Sequence, residues 1–476
     1  MSRRALFVGV LIVVIVGAIL AGNASASHPP TVPATDAAAA VPPSLGSSTV
    51  WFCPGLPPSI AAGDLRLTFS NIGTEPADLV ATVLPDKGKP TQQTFTIAPS
   101  TVVTKHRDAL GPPGALTTET FGGMVVVEEG VDGNAGTDMT PCATQTATDW
   151  HFAAGSTLRG VQMWLVVDDP YASDAKIDVT LRTSEGVRRP DDLQGLDVAR
   201  HTRAVIAVHD YAVRDERVAV EVHAEMGRVV AGQTIVYTSD AGTPGVATTV
   251  GTPVASDHWM FAGGEVANGS SSWVAIVNDG TDDAQVSVQA FPANYKPVAP
   301  ATVAVGQDDV EWVQLGNCNA GATNCVPVPE GASYGLDVRA DGGVQIVAQT
   351  LTRYSDQADV GGATTAIGVT EPVAKWAFAT SFLQGERVST LAFVNPFAQA
   401  VNVSVARVHD GDVGHPVSFQ SIAVPPGKRV SLTVVDDKTV KGGDAALLVD
   451  ATGPIVVERT MVGADDVSRS PGIRLP

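Results

Sequence analysis

Apolar and polar residues alternate with a period of two along most of the chain, as in Ala284-Gln285-Val286-Ser287-Val288 and Ala400-Val401-Asn402-Val403-Ser404-Val405. Alternation rich in β-branched residues marks half-buried strands, since successive side chains point to opposite faces. Asn, Asp and Gly at the ends of these runs mark tight turns. Helical periodicity is scarce. The best short candidate is residues 191–200, and a loop fits equally well there.

The alternating runs recur in a fixed order. Trp51-Phe52, Trp150-His151-Phe152, Trp259-Met260-Phe261 and Trp376-Ala377-Phe378 are spaced 99, 109 and 117 residues apart, Trp to Trp. About 19 residues past each Trp a strand ends in a polar turn, at Asn71, Asp168, Asn278 and Asn395. Further on, a Gly opens a third apolar run at Gly123, Gly227, Gly343 and Gly453. Three landmarks in four copies predict an all-β chain of four tandem homologous domains, at 51–149, 150–257, 258–374 and 375–476. Each has the size of one β-sandwich of immunoglobulin-like type. Four such domains in series predict an elongated body. The alternative is a β-propeller, although a blade takes only about 40 to 50 residues.

Trp51, Trp150, Trp259 and Trp376 are expected to plug the core or the joints between repeats, with a sugar-stacking platform as the rival role. Phe152, Phe261 and Phe378 lie two residues on and so face the same side of a strand, which favours packing.

Arg3 and Arg4 precede an apolar stretch at residues 5–22. As a helix those residues would span about 27 Å. Ala24-Ser25-Ala26 then offers a small-x-small cleavage site. Residues 1–26 therefore read as a secretory signal peptide or as an uncleaved membrane anchor, and both readings stay open. Either way the rest of the chain is placed outside the cytoplasmic membrane, in the envelope or secreted, with N-terminal membrane contact if the segment is kept. Residues 27–50, Pro- and Ala-rich and almost uncharged, read as a linker. In an oxidising compartment Cys53 and Cys142, which flank the first repeat, are expected to pair. Cys318 and Cys325 should bridge a short polar loop. Neither spacing suits a redox or zinc motif.

Composition narrows function mainly by exclusion. The 476 residues carry 50 acidic and 30 basic side chains, a formal charge of -20. That rules against general nucleic-acid binding, which needs a basic footprint. At 44% apolar residues the chain can build a core. Gly331-Ala332-Ser333-Tyr334-Gly335 matches the nucleophile-elbow string, but a strand, not a helix, is expected to follow it. No HExxH, phosphate loop or dinucleotide fingerprint occurs. His151 and His258 have no ligand-like neighbours in sequence and read as surface or hydrogen-bonded histidines. The acidic turns at Asp168-Asp169, 279–283, 410–412 and Asp436-Asp437 read as solvated, with calcium at one inter-domain joint as the alternative. No catalytic residue, metal ligand or cofactor is nominated.

The Trp-x-Phe starts, the Trp51-Phe52-Cys53-Pro54 opening and the Cys-bounded first repeat resemble an actinobacterial exported family known only as a domain of unknown function. The resemblance runs from about Val50 to Leu475. It implies one N-terminal signal or anchor and an extracytoplasmic β-rich body, and it implies no activity. The expected role is a non-enzymatic envelope scaffold or binding protein, with an envelope protein or glycan as partner. The alternative is a carbohydrate-active hydrolase using two carboxyl groups.

Overall fold

The alternation folds as read. In Ala284–Pro292, Ala284, Val286, Val288 and Ala290 are fully buried while the residues between them reach solvent. The computed structural model describes residues 48–61, 64–134, 136–296, 298–319, 321–355, 357–358, 360–381, 388–434, 444–463 and 466–476. The 1–26 segment, nearly all of 27–50 and the turn at Asp436-Asp437 lie outside the described residues. Among the described residues no helix is long and apolar enough to cross a membrane. The protein is all-β, built mainly of four- and five-stranded sheets.

The first repeat contains β1 (Ser48–Cys53), β2 (Leu65–Asn71), β3 (Ala77–Pro85), β4 (Thr91–Ile97), β5 (Thr101–His106), β6 (Gly114–Phe121), β7 (Val125–Gly133) and β8 (Gly136–Pro141). One sheet has the order β1-β6-β3-β4 and the other β5-β2-β7-β8. The second order returns as Thr202–Ala207, Val161–Asp169, Val230–Tyr237 and Gly245–Val250. It returns again within Val310–Leu315, Ser270–Asn278, Ile346–Tyr354 and Ala363–Ile367. In the last repeat one long strand, Ala446–Val462, serves both sheets. Its first half pairs with Val373–Phe378 and Val401–His409, its second half with Val388–Asn395 and Val467–Pro471.

The polar residue that ends the second strand has a defined task. Asn71 Nδ2 donates to Glu75 O at 2.7 Å and to Ile97 O at 3.2 Å. Asn278 Nδ2 does the same with Asp282 O and Val305 O, and Asn395 Nδ2 with Gln399 O and Val424 O. Each buried amide thus ties the turn to the end of a strand in the opposite sheet. In the second repeat Asp169 holds this turn: its Oδ1 accepts from the Tyr171 amide at 2.8 Å, as Asn71 Oδ1 accepts from Gly73 and Asn278 Oδ1 from Gly280. A carboxylate cannot donate to the far strand as the asparagines do, and beside it neither oxygen of Asp168 finds a hydrogen-bond partner.

Contacts between repeats run in a circle. The strand β8 packs on Gly245–Val250, which packs on Ala363–Ile367, which packs on Val467–Pro471, which returns to β8. The expected elongated body is therefore corrected for the described residues. Apolar side chains on the outer ends of neighbouring repeats bury one another, as Ala377, Ala379 and Ile473 do in the core of the first repeat. The helix candidate at 191–200 is a 3₁₀ turn, Asp191–Leu193, followed by the strand Leu196–Val198. Ser333 opens the strand Ser333–Ala340, so the Gly-x-Ser-x-Gly string forms no elbow.

Candidate functional site

Trp51, Trp150, Trp259 and Trp376 are all at most 1% exposed, and Phe152, Phe261 and Phe378 at most 2%. No ring face is left for a sugar. Three of the indoles donate inward: Trp150 to Val229 O at 2.8 Å, Trp259 to Ile346 O at 2.8 Å, and Trp376 to Val373 O at 3.0 Å. Cys53 is bonded to Cys142 and Cys318 to Cys325.

Four polar residues that the sequence reading passed over organise the joints. Glu128, Gln349 and Glu458 occupy one register position in the strand beside β2 or its counterpart, Gln233 lies one residue past the equivalent Gly232, and Glu128, Gln233, Gln349 and Glu458 are at most 1% exposed. Gln349 Oε1 accepts from Ala154 N of the preceding repeat at 3.0 Å, and its amide donates to Gln233 Oε1 at 3.1 Å. Glu458 Oε2 accepts from Gly263 N at 2.6 Å. A Cβ at position 263 would lie 2.8 Å from that same oxygen, which is why glycine suits the site. Glu128 accepts from Arg459 Nη1 at 2.9 Å, joining the last repeat to the first, and both side chains are fully buried. Arg459 also donates to Thr380 O and to Ser470 Oγ. The available signal was a polar residue interrupting an apolar run five or six residues past Gly123, Gly227, Gly343 and Gly453.

Burial dominates the electrostatics of these joints. It pushes the Glu128 carboxyl up against the opposing pull of Arg459. It raises Glu458 to about 6 and Glu129 to about 7. Asp138, in β8, rises to about 8 although Ser468 Oγ and the Thr248 amide donate to it, each at 2.6 Å. Asp168 is raised well above the usual carboxylate range by burial and then by the nearby Glu129. The expectation of solvated acidic turns fails at Asp168 and Asp169, which are 0% and 1% exposed. Burial of this turn follows from tertiary packing, which local composition does not reveal.

Across these strands, Glu128, Gln233, Gln349 and Glu458 pair with Pro141, Thr249, Ile367 and Pro471. These four partners line one pocket, so residues of all four repeats share its mouth. Thr140, Thr144, Gln145 and Gly251 add hydroxyl, amide and backbone groups, and among the described residues the lining contains no Asp, Glu, Lys, Arg or His. A second pocket lies between the first two repeats, with an apolar wall of Leu56, Ile60 and Pro113 facing Arg107 and Arg203. Both arginines are already committed: Arg107 to Gly114 O and Arg203 to Asp86 and Leu56 O.

His258 pairs with Asp337 at 3.1 Å. His151 departs from its reading: it is 6% exposed, and its Nδ1 has no hydrogen-bond partner. The fold also gives it acidic neighbours far away in sequence, Glu221 and Asp279.

A family model described as a family of unknown function, DUF5719, matches residues 115–435. This is about two thirds of the chain, and the chain belongs to that family. No match was found among curated proteins. Among solved structures, the Anabaena sensory rhodopsin transducer is 24% identical over 20% of this chain and 83% of its own, with a TM-score of 0.17. Thermotoga maritima 1070 is 18% identical over 24% of this chain and 93% of its own, at 0.20. A tetra-tandem repeat from the extending region of a large adhesion protein is 13% identical over 90% of this chain and 99% of its own, at 0.11. Scores this low carry no argument about fold or function.

Proposed function

We propose that the chain is a non-enzymatic, extracytoplasmic binding or scaffold protein of the cell envelope. Its body is four tandem immunoglobulin-like sandwich domains, at the boundaries read from the sequence, closed into a ring. Its exported setting, with a cleaved signal or retained anchor at residues 1–26 in an actinobacterial envelope, belongs to the same proposal. The observation that carries it is the mouth lined by all four repeats. Its neutral hydroxyl, amide and backbone groups suit a neutral polar ligand, and an envelope glycan has that chemistry. The charge of -20 favours the same choice, because it repels anionic lipids and polymers.

The hydrolase alternative needs two carboxyl groups facing one substrate, whereas among the described residues the mouth lining has none. The test uses residues 27–476 and solubilised envelope glycan, with binding followed by calorimetry. Saturable binding, weakened at least tenfold by Gln145→Ala with no sugar released, supports the proposal. Release of sugars that an Asp or Glu substitution abolishes without unfolding the protein overturns it in favour of the hydrolase. Absence of glycan binding overturns the glycan assignment.

A further inference from the structure

The strand Asp149–Phe152 pairs with Ala219–Met226 so that His151 lies directly opposite Glu221. Residues opposite each other in an antiparallel pair share a face and bring their side chains together. Asp279, just past the strand Ser270–Asn278 of the third repeat, completes the group. One donor atom from each of the three lies within 4.8 Å of the others. We propose that His151, Glu221 and Asp279 form a divalent-cation site, fitted to zinc, at the joint between the second and third repeats.

The donor set and its spacing favour zinc. Zinc takes imidazole nitrogen and carboxylate oxygen at about 2.0 to 2.2 Å, in tetrahedral geometry. Those bond lengths set neighbouring donors about 3.4 Å apart. His151 Nε2 and Asp279 Oδ2 are 3.8 Å apart, too far for a hydrogen bond and within a few tenths of an ångström of the zinc spacing. Calcium prefers six to eight oxygens and is a poor match for a buried imidazole.

The buried histidine is the independent observation. A buried ring without partners loses its hydrogen bonds to water and gains nothing in return. His151 is 94% buried, its Nδ1 is unpartnered, and its nearest acceptor stands beyond bonding distance. The nitrogen that faces the carboxylates, Nε2, stands beyond hydrogen-bond reach of Asp279, and a metal ion between them gives that nitrogen a partner.

Charge points the same way. Glu221 and Asp279 stand with Asp308 around a single buried guanidinium, Arg182. It reaches Glu221 at 2.8 Å, Asp308 at 3.1 Å and Asp279 at 3.7 Å. His223 is engaged with Asp149. The Glu221 and Asp279 side chains keep 22% and 24% exposure, so an ion and a fourth, water ligand have a way in. Because Arg182 already shares both carboxylates, binding is expected in the micromolar range, not at structural-finger affinity.

The test uses residues 27–476 stripped with chelator and titrated with zinc chloride, followed by calorimetry and thermal unfolding. Cobalt substitution reads geometry by its visible absorption. The expected result is one zinc per chain, a zinc-dependent rise in Tm and an intense tetrahedral cobalt band. Asp279→Asn, at a half-exposed position that leaves the core intact, should weaken binding at least tenfold, and His151→Ala should abolish it. Absence of stoichiometric binding, or binding of equal strength in wild type and Asp279→Asn, overturns the proposal.

Discussion

Asp168→Asn should stabilise this protein, and by more as pH rises. The turn that asparagine holds in the other repeats is held here by the neighbouring Asp169, which accepts from the Tyr171 amide, so Asp168 has no part in that tie. The carboxyl of Asp168 is fully buried, has no hydrogen-bond partner and lies near Glu129. An unsatisfied buried polar group costs about 1 to 3 kcal/mol and more when it is charged, and asparagine carries no charge. Protonation adds a pH-dependent part. An acid whose folded-state value is raised holds its proton in the native state after the unfolded chain has released it. Stability then falls with rising pH between the two values, by about 1.4 kcal/mol per unit. Asparagine has no such term, so the gain over wild type should widen by up to about 3 kcal/mol between pH 5 and pH 7. Urea denaturation followed by fluorescence of the buried tryptophans, at pH 5, 6 and 7, measures it. A variant less stable than wild type at pH 7, or a gain that does not change with pH, would refute the reasoning.

Arg459→Met should cost about 3 to 5 kcal/mol, because it strands the buried Glu128; adding Glu128→Gln should recover most of this in denaturant unfolding, and additive losses would show the pair is uncoupled. With Asp138 raised to about 8, Glu129 to about 7 and Glu458 to about 6, wild-type stability should peak on the acid side of neutrality and decline from about pH 5 to pH 8; a Tm that rises over that window contradicts it. Replacing Cys53 and Cys142 with serine opens a link across 89 residues and should cost about 4 kcal/mol, read as a lower urea midpoint. Protease treatment of spheroplasts should digest residues 27–476, and a fully protected chain would sink the extracytoplasmic assignment.

Much of the architecture was legible because strand periodicity and turn chemistry are local. The recurrence of Trp150-His151-Phe152 and its counterparts needed only one chain to be seen. The amide at Asn71, Asn278 and Asn395 was legible as a turn signal, but its second bond, to the far sheet, was not. Ring closure was invisible for the same reason: Glu128 and Arg459 are 331 residues apart, and no local pattern encodes that distance. The mouth is built from the ends of four strands, so no single stretch of sequence carries it. His151 looked like an isolated histidine because Glu221 and Asp279 reach it through one strand pairing and one joint.

The closing contacts have a consequence for how the protein must be made. Ser70 donates to Ala379 O, Glu128 meets Arg459, and the Met139 amide reaches Ser468, partners separated by 309 to 331 residues. A chain delivered from its N-terminus can assemble its first repeat early. That repeat then waits with a buried-to-be carboxylate uncovered until the strand Val467–Pro471 arrives. Such long-range pairings fold slowly, so residues 467–471 act as the latch of the circle. Chains that stop before residue 467 should emerge with the circle open.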